Sequence, residues 1–139
     1  MPSKREKVIE AVFALVDAAT PGTKLARNPD QPEGVPVGGL IIVRDGDPGD
    51  PDVDLCPLTY HYQHSIDLEI ATYEDGFLTR EQALDALTAP IGTAVIADRF
   101  LGGLCDWLEA TAPVTDDVAL DRSALLSIIA HYSTTDPLN

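Results

Sequence analysis

A chain of 139 residues fits one domain, since typical domains hold roughly 100–200 residues, and an apolar fraction of 45% is enough for a packed core and argues against global disorder. Nine basic against twenty-three acidic side chains give a net charge of −14. Nucleic-acid affinity rests on Lys and Arg neutralising phosphates, so a surface this acidic argues against direct capture of DNA or of anionic lipid.

In chain order, Val8, Ile9, Val12, Phe13, Leu15 and Val16 recur at spacings of three and four, which predicts an amphipathic helix over 4–19. Ser3 is placed to cap it, with Glu6 three positions on completing a capping box, and Thr20-Pro21-Gly22 stops it. The helix carries charged residues where a secretion signal would be apolar, and no apolar run approaches the roughly 20 residues that span a bilayer. A turn-rich stretch over 24–34 follows. Then comes Val35 to Val43, a β-branched run that reads as a strand buried on both faces. Arg44 to Asp54 is almost entirely Asp, Gly and Pro, the composition of a surface loop.

Thr59 to Tyr73 alternates with period two over its length. Tyr60, Tyr62, His64, Ile66, Leu68, Ile70 and Thr72 fall on one face, and His61, Gln63, Ser65, Asp67 and Glu69 on the other. Thr79 with Gln82 marks a second capped helix, buried through Ala83, Leu84 and Leu87, which Pro90 is expected to kink or divide. A strand is expected around 101–110, a turn at Asp116-Asp117, and a last long strand over 120–134. In that strand Leu126, Ile128, Ala130 and Tyr132 lie opposite Leu125, Ile129 and His131. Runs of strands without regular βαβ alternation predict a single α+β domain over 1–139. Its sheet is expected to be mostly antiparallel with about four strands, and two helices pack on one face.

The alternating carboxylates Asp45, Asp47, Asp50, Asp52 and Asp54 suit a hard cation such as calcium in type. The spacing lacks the sixth-position glycine and twelfth-position acid of an EF-hand, so a solvated acidic loop, or one ordered only against a partner, is the preferred reading. His61 and His64 point to opposite faces of one strand and cannot share a metal. His131, Ser133 and Asp136 are hydrolase residue types without a GxSxG elbow, and no phosphate-binding or HExxH motif occurs. The histidines are therefore expected at the surface or an interface, Trp107 in the core, and Cys56 and Cys105 as small buried apolar groups. No catalytic residue, cofactor or metal is assigned. Asp47, Asp50, Asp52, Asp54, His61, Gln63 and Arg99 are the interface candidates.

Several segments together resemble the tail terminator family of siphophages, prophages and gene transfer agents. They are the helix ending at Thr20-Pro21-Gly22, the Pro32–Val43 strand, the Ile91–Asp98 and Leu101–Trp107 stretches, and the tail His131–Pro137. That resemblance implies a mixed α/β virion subunit, assembled in the bacterial cytoplasm, that forms a hexameric ring on the tail tube. Its partners would be itself, the tube protein and a head-completion protein, with DNA passing only as cargo through an acidic lumen and no membrane involved. The open alternatives are a small transferase or hydrolase using His64 or His131 as base, and an acidic monomeric adaptor.

Overall fold

Two long strands organise the fold: β4 (Leu58–Tyr73) and β7 (Asp121–Thr134) pair antiparallel from Tyr60↔Thr134 to Tyr73↔Asp121. At about 3.3 Å per residue, this fourteen-pair ladder runs roughly 45 Å. The computed structural model describes residues 2–29, 34–36, 38–73, 79–118 and 121–138. Around the ladder stand β1 (Lys24–Arg27), β2 (Leu40–Arg44), β3 (Asp52–Leu55), β5 (Trp107–Ala110) and β6 (Val114–Val118). The helices are α1 (Lys4–Ala19) and α2 (Arg80–Ala97), followed by a 3-10 turn at Leu101–Gly103.

The sheet order is β1-β2-β4-β7-β5, with β3 on the free end of the β4 edge and β6 on that of β7. The α+β class stands, but the sheet has seven strands rather than about four. It is mixed, because β1 runs parallel to β2 while the other pairings are antiparallel. The extra strands lie where turns were expected. β1 falls in the turn-rich stretch, β3 in the Asp-rich segment, and β6 contains Asp116 and Asp117. Each is four or five residues long and takes its extended conformation from a longer partner, a tertiary effect that overrides weak local propensity. Of the strand expected over 35–43, β2 supplies the part from Leu40 onward, after Gly39 at φ 90°, and Val37 lies outside the described residues. The strand expected over 101–110 is a 3-10 turn followed by β5, because Gly102 and Gly103 both adopt positive φ.

The predicted faces of β4 and β7 hold. Tyr62, His64, Ile66, Leu68, Ile70 and Thr72 are buried, as are Leu126, Ile128, Ala130 and Tyr132. Both helices close over this face: Val8, Ile9, Val12 and Val16 of α1 and Leu84, Ile91 and Val95 of α2 join the same core cluster. Each such side chain contributes about 1.5–3 kcal/mol on leaving water.

Ser3 Oγ accepts the Glu6 N–H at 3.2 Å, but the Glu6 carboxylate turns to Arg27, so only half of the expected capping box forms. Thr79 and Gln82 complete theirs. Pro90 neither ends nor divides α2. It lacks only the N–H that would reach the carbonyl of Ala86, and Ala86 is exposed, so water can serve that carbonyl.

Candidate assembly surface

The Asp-rich segment begins as an anchored structure rather than a loose loop. Arg27 lies between Asp45 and Glu6. Its Nε and Nη2 donate to the Asp45 carboxylate at 2.7 and 2.9 Å, and its Nη1 and Nη2 to that of Glu6 at 2.5 and 2.9 Å. The guanidinium holds both carboxyls below their usual range and is itself held protonated. Asp45 also donates its backbone N–H to Asn28 Oδ1 at 3.1 Å.

Beneath this bridge lies His64, fully buried, which corrects the expectation that all three histidines are superficial. Its Nε2–H donates to the Asp45 carbonyl at 2.5 Å, since a carbonyl can only accept. Nδ1 is then the acceptor for the Tyr132 hydroxyl at 3.0 Å. Both ring nitrogens are satisfied in the neutral form, and burial pushes the imidazole pKa down. Burial pushes the Tyr132 phenol up to about 12. Next in sequence, Gly46 sits at φ 70° against β4, where an added Cβ would overlap the Ser65 carbonyl oxygen.

Beyond Asp47, whose carboxylate accepts the Gly49 N–H at 2.8 Å, the chain enters β3 and turns at Cys56-Pro57 into β4. The pairs Val53↔Tyr60 and Leu55↔Leu58 place these four residues on the sheet face that the helices cover elsewhere. The helical cover stops short of them: Val53, Leu55 and Leu58 are 47, 77 and 45% exposed. The opposite face carries Asp52 and Asp54, with His61 Nε2–H donating to Asp54 Oδ2 at 2.8 Å. The β3–β4 hairpin is thus amphipathic, apolar on one side and acidic on the other, and extends past the core.

Of the residues named from sequence, Asp50, Asp52, Asp54, His61 and Asp47 belong to this hairpin or its approach, and Gln63 is exposed on the outer face two positions from His61. Arg99 is elsewhere, beyond the end of α2, where it donates to the Leu108 carbonyl at 2.7 Å. Sequence reasoning passed over Val53, Leu55 and Leu58. An alternating Asp-Val-Asp-Leu run before a turn was the available signal.

His131, Ser133 and Asp136 do not converge. His131 donates to Glu109 at 3.3 Å and stacks on Trp107, with ring centres 4.1 Å apart and planes 7° from parallel. The Asp136 carboxylate accepts the Leu138 N–H. Trp107 is 40% exposed rather than a core residue, because β5 turns it to the outer face, which no helix among the described residues covers, while Leu108 faces inward. Cys105 is buried as expected, whereas Cys56 is exposed at the hairpin turn. Among the described residues no group of three His, Cys, Asp or Glu side chains is arranged to hold a metal ion. No helix among them is long and apolar enough to cross a membrane. The sequence matches no protein-family model and no curated protein.

Proposed function

We propose that this chain is a structural subunit of the tail-terminator type, which closes the end of a phage or gene-transfer-agent tail tube as a hexameric ring and offers a surface to the head-completion protein. The observation that carries this reading is the amphipathic hairpin at the end of the β4–β7 ladder. Three exposed apolar side chains on a paired, well-formed strand gain their burial energy only against another molecule. A surface that meets an unlike surface on an identical copy propagates by rotation, and such heterologous contacts give a ring where the rotation closes on itself and an open filament where it does not. A net charge of −14 suits the wall of a channel through which DNA must pass without adhering.

Native mass spectrometry with negative-stain imaging of the purified chain across a concentration series tests the proposal. Closed rings of six that accumulate with concentration are the expected result. A monomer at every concentration, or open filaments instead of rings, would refute it.

A further inference from the structure

The sheet ends in two edges of opposite charge. β1 and β5 are its terminal strands, each four residues long, and no described strand lies beyond either. β1 carries Lys24 and Arg27, whereas β5 carries Glu109 and follows directly on Asp106. The Lys24 and Asn28 N–H groups donate to the Gly39 and Val43 carbonyls, so on β1 it is Leu25 and Arg27 that turn their backbone groups away from the sheet. On β5 the Thr111 N–H reaches the Ser127 carbonyl of β7. By the same alternation Leu108 and Ala110 point their backbone groups outward.

The two edges fit each other. β1 runs antiparallel to β5 within one chain, so two copies set side by side in the same orientation bring β1 of one antiparallel to β5 of the next. Leu25 and Leu108 both pack on the helix-covered side, and joining them as a hydrogen-bonded pair therefore continues the sheet with its helices on one side. That register places Lys24 opposite Glu109 and Ala26 opposite Trp107 on the other face, an ion pair and a small residue against a large one. Pairing β1 with its own copy would gather Lys24 and Arg27 of both chains, and pairing β5 with its own would gather Asp106 and Glu109, so charge selects the unlike edge. One group stands in the way. Arg99, an exposed side chain, donates to the outward Leu108 carbonyl at 2.7 Å and so guards the edge against indiscriminate pairing.

We infer that β1 of one copy adds to β5 of the next as an antiparallel strand, Leu25 opposite Leu108, and that Arg99 gives up the Leu108 carbonyl to the Leu25 N–H as it does so. This contact rests on the self-assembly proposed above and names the two edges that meet.

A charge swap tests it. Glu109→Lys alone sets two cations opposite each other at every contact, and Lys24→Glu alone sets two carboxylates. Association of either variant, measured by sedimentation velocity, weakens about ten-fold. Mixed in equal amounts, the two variants alternate with opposite charges at every contact, so assembly returns. Ala110→Pro removes an outward N–H and puts its ring in the path of the incoming strand while sparing the ladder to β7, and it also weakens association about ten-fold. Arg99→Met keeps the stem but removes the donor, and association tightens about ten-fold because the Leu108 carbonyl is open. Circular dichroism of each variant verifies the fold. Wild-type rings that ignore both the swap and Ala110→Pro would overturn the edge pairing while leaving the ring reading intact. Open filaments restored by the swap would support the pairing and refute the ring. Association that Arg99→Met leaves unchanged or weakens would overturn the guarding role of Arg99. Wild type and Arg99→Met that both stay monomeric at all concentrations would overturn pairing and ring together.

Discussion

Replacing Gly46 with alanine isolates how firmly the Asp-rich segment is attached to the sheet. Alanine at φ 70° enters the left-handed region at a cost of about 1–2 kcal/mol. Its Cβ also overlaps the Ser65 carbonyl oxygen, a backbone atom inside the β4–β7 ladder that has no freedom to yield. The segment must lift instead, which withdraws the Asp45 carbonyl from the buried His64 Nε2–H. Leaving that donor unsatisfied costs about 1–3 kcal/mol. The two costs sum to roughly 2–5 kcal/mol. Gly49 is the internal control: its φ is 72°, yet nothing lies within 4 Å of an added Cβ, so Gly49→Ala bears only the backbone cost. Urea unfolding of the two variants beside the wild type measures both values. Equal destabilisation by the two substitutions would show that Gly46 is not seated on β4 and would refute the anchoring argument.

Three further outcomes follow from neighbouring contrasts. The folded pKa of His64 lies below its unfolded value of about 6.5, so the unfolded chain binds the extra proton, and stability falls as pH drops from about 7 toward 5. His64→Gln, which keeps a donor for the Asp45 carbonyl, should flatten that slope in unfolding curves measured across this range, and an unchanged slope would assign the proton elsewhere. An aromatic disulfide reagent should modify Cys56 at once and Cys105 only on unfolding, because Cys105 is buried and its thiol is pushed up to about 11; two rapid thiols in the native protein would contradict the burial. Leu108→Ala, at a fully buried position, should cost about 2–5 kcal/mol, and Trp107→Ala, larger but 40% exposed, should cost less. Denaturation midpoints that reverse this order would place β5 the other way up.

The elements legible from sequence were those that specify themselves locally. Period-two alternation along β4 and β7 determined their faces, since a register slip of one residue would expose the whole apolar set. Ser3 and Thr79 marked where the helices begin. β1, β3 and β6 were not legible, because sequences such as Lys24-Leu25-Ala26-Arg27 and Val114-Thr115-Asp116-Asp117-Val118 extend only beside a partner that a single sequence does not reveal. The Arg27–Glu6–Asp45 bridge joins residues 18 and 21 positions apart through a fold in which parallel β1 and β2 bring them together. His64 was assigned to the correct face of β4, but its burial as a satisfied neutral ring depends on a carbonyl and a hydroxyl supplied by the Asp-rich segment and β7. The apolar hairpin tip was hidden by its acids: aspartate density reads as loop, and here the intervening Val53 and Leu55 form a strand face.

The pairing of β4 with β7 also has a consequence for biosynthesis. Tyr132 follows its partner His64 by 68 positions, so at about 5–20 residues per second the ribosome delivers it roughly 3–14 s later. Throughout that delay, the longest strand of the nascent chain has its β7 edge vacant and its aliphatic face only partly covered. Asp67 and Glu69, alternating with Leu68 on the other face, keep that waiting strand charged, so a neighbouring polysome product meets repulsion before it can take the place reserved for β7.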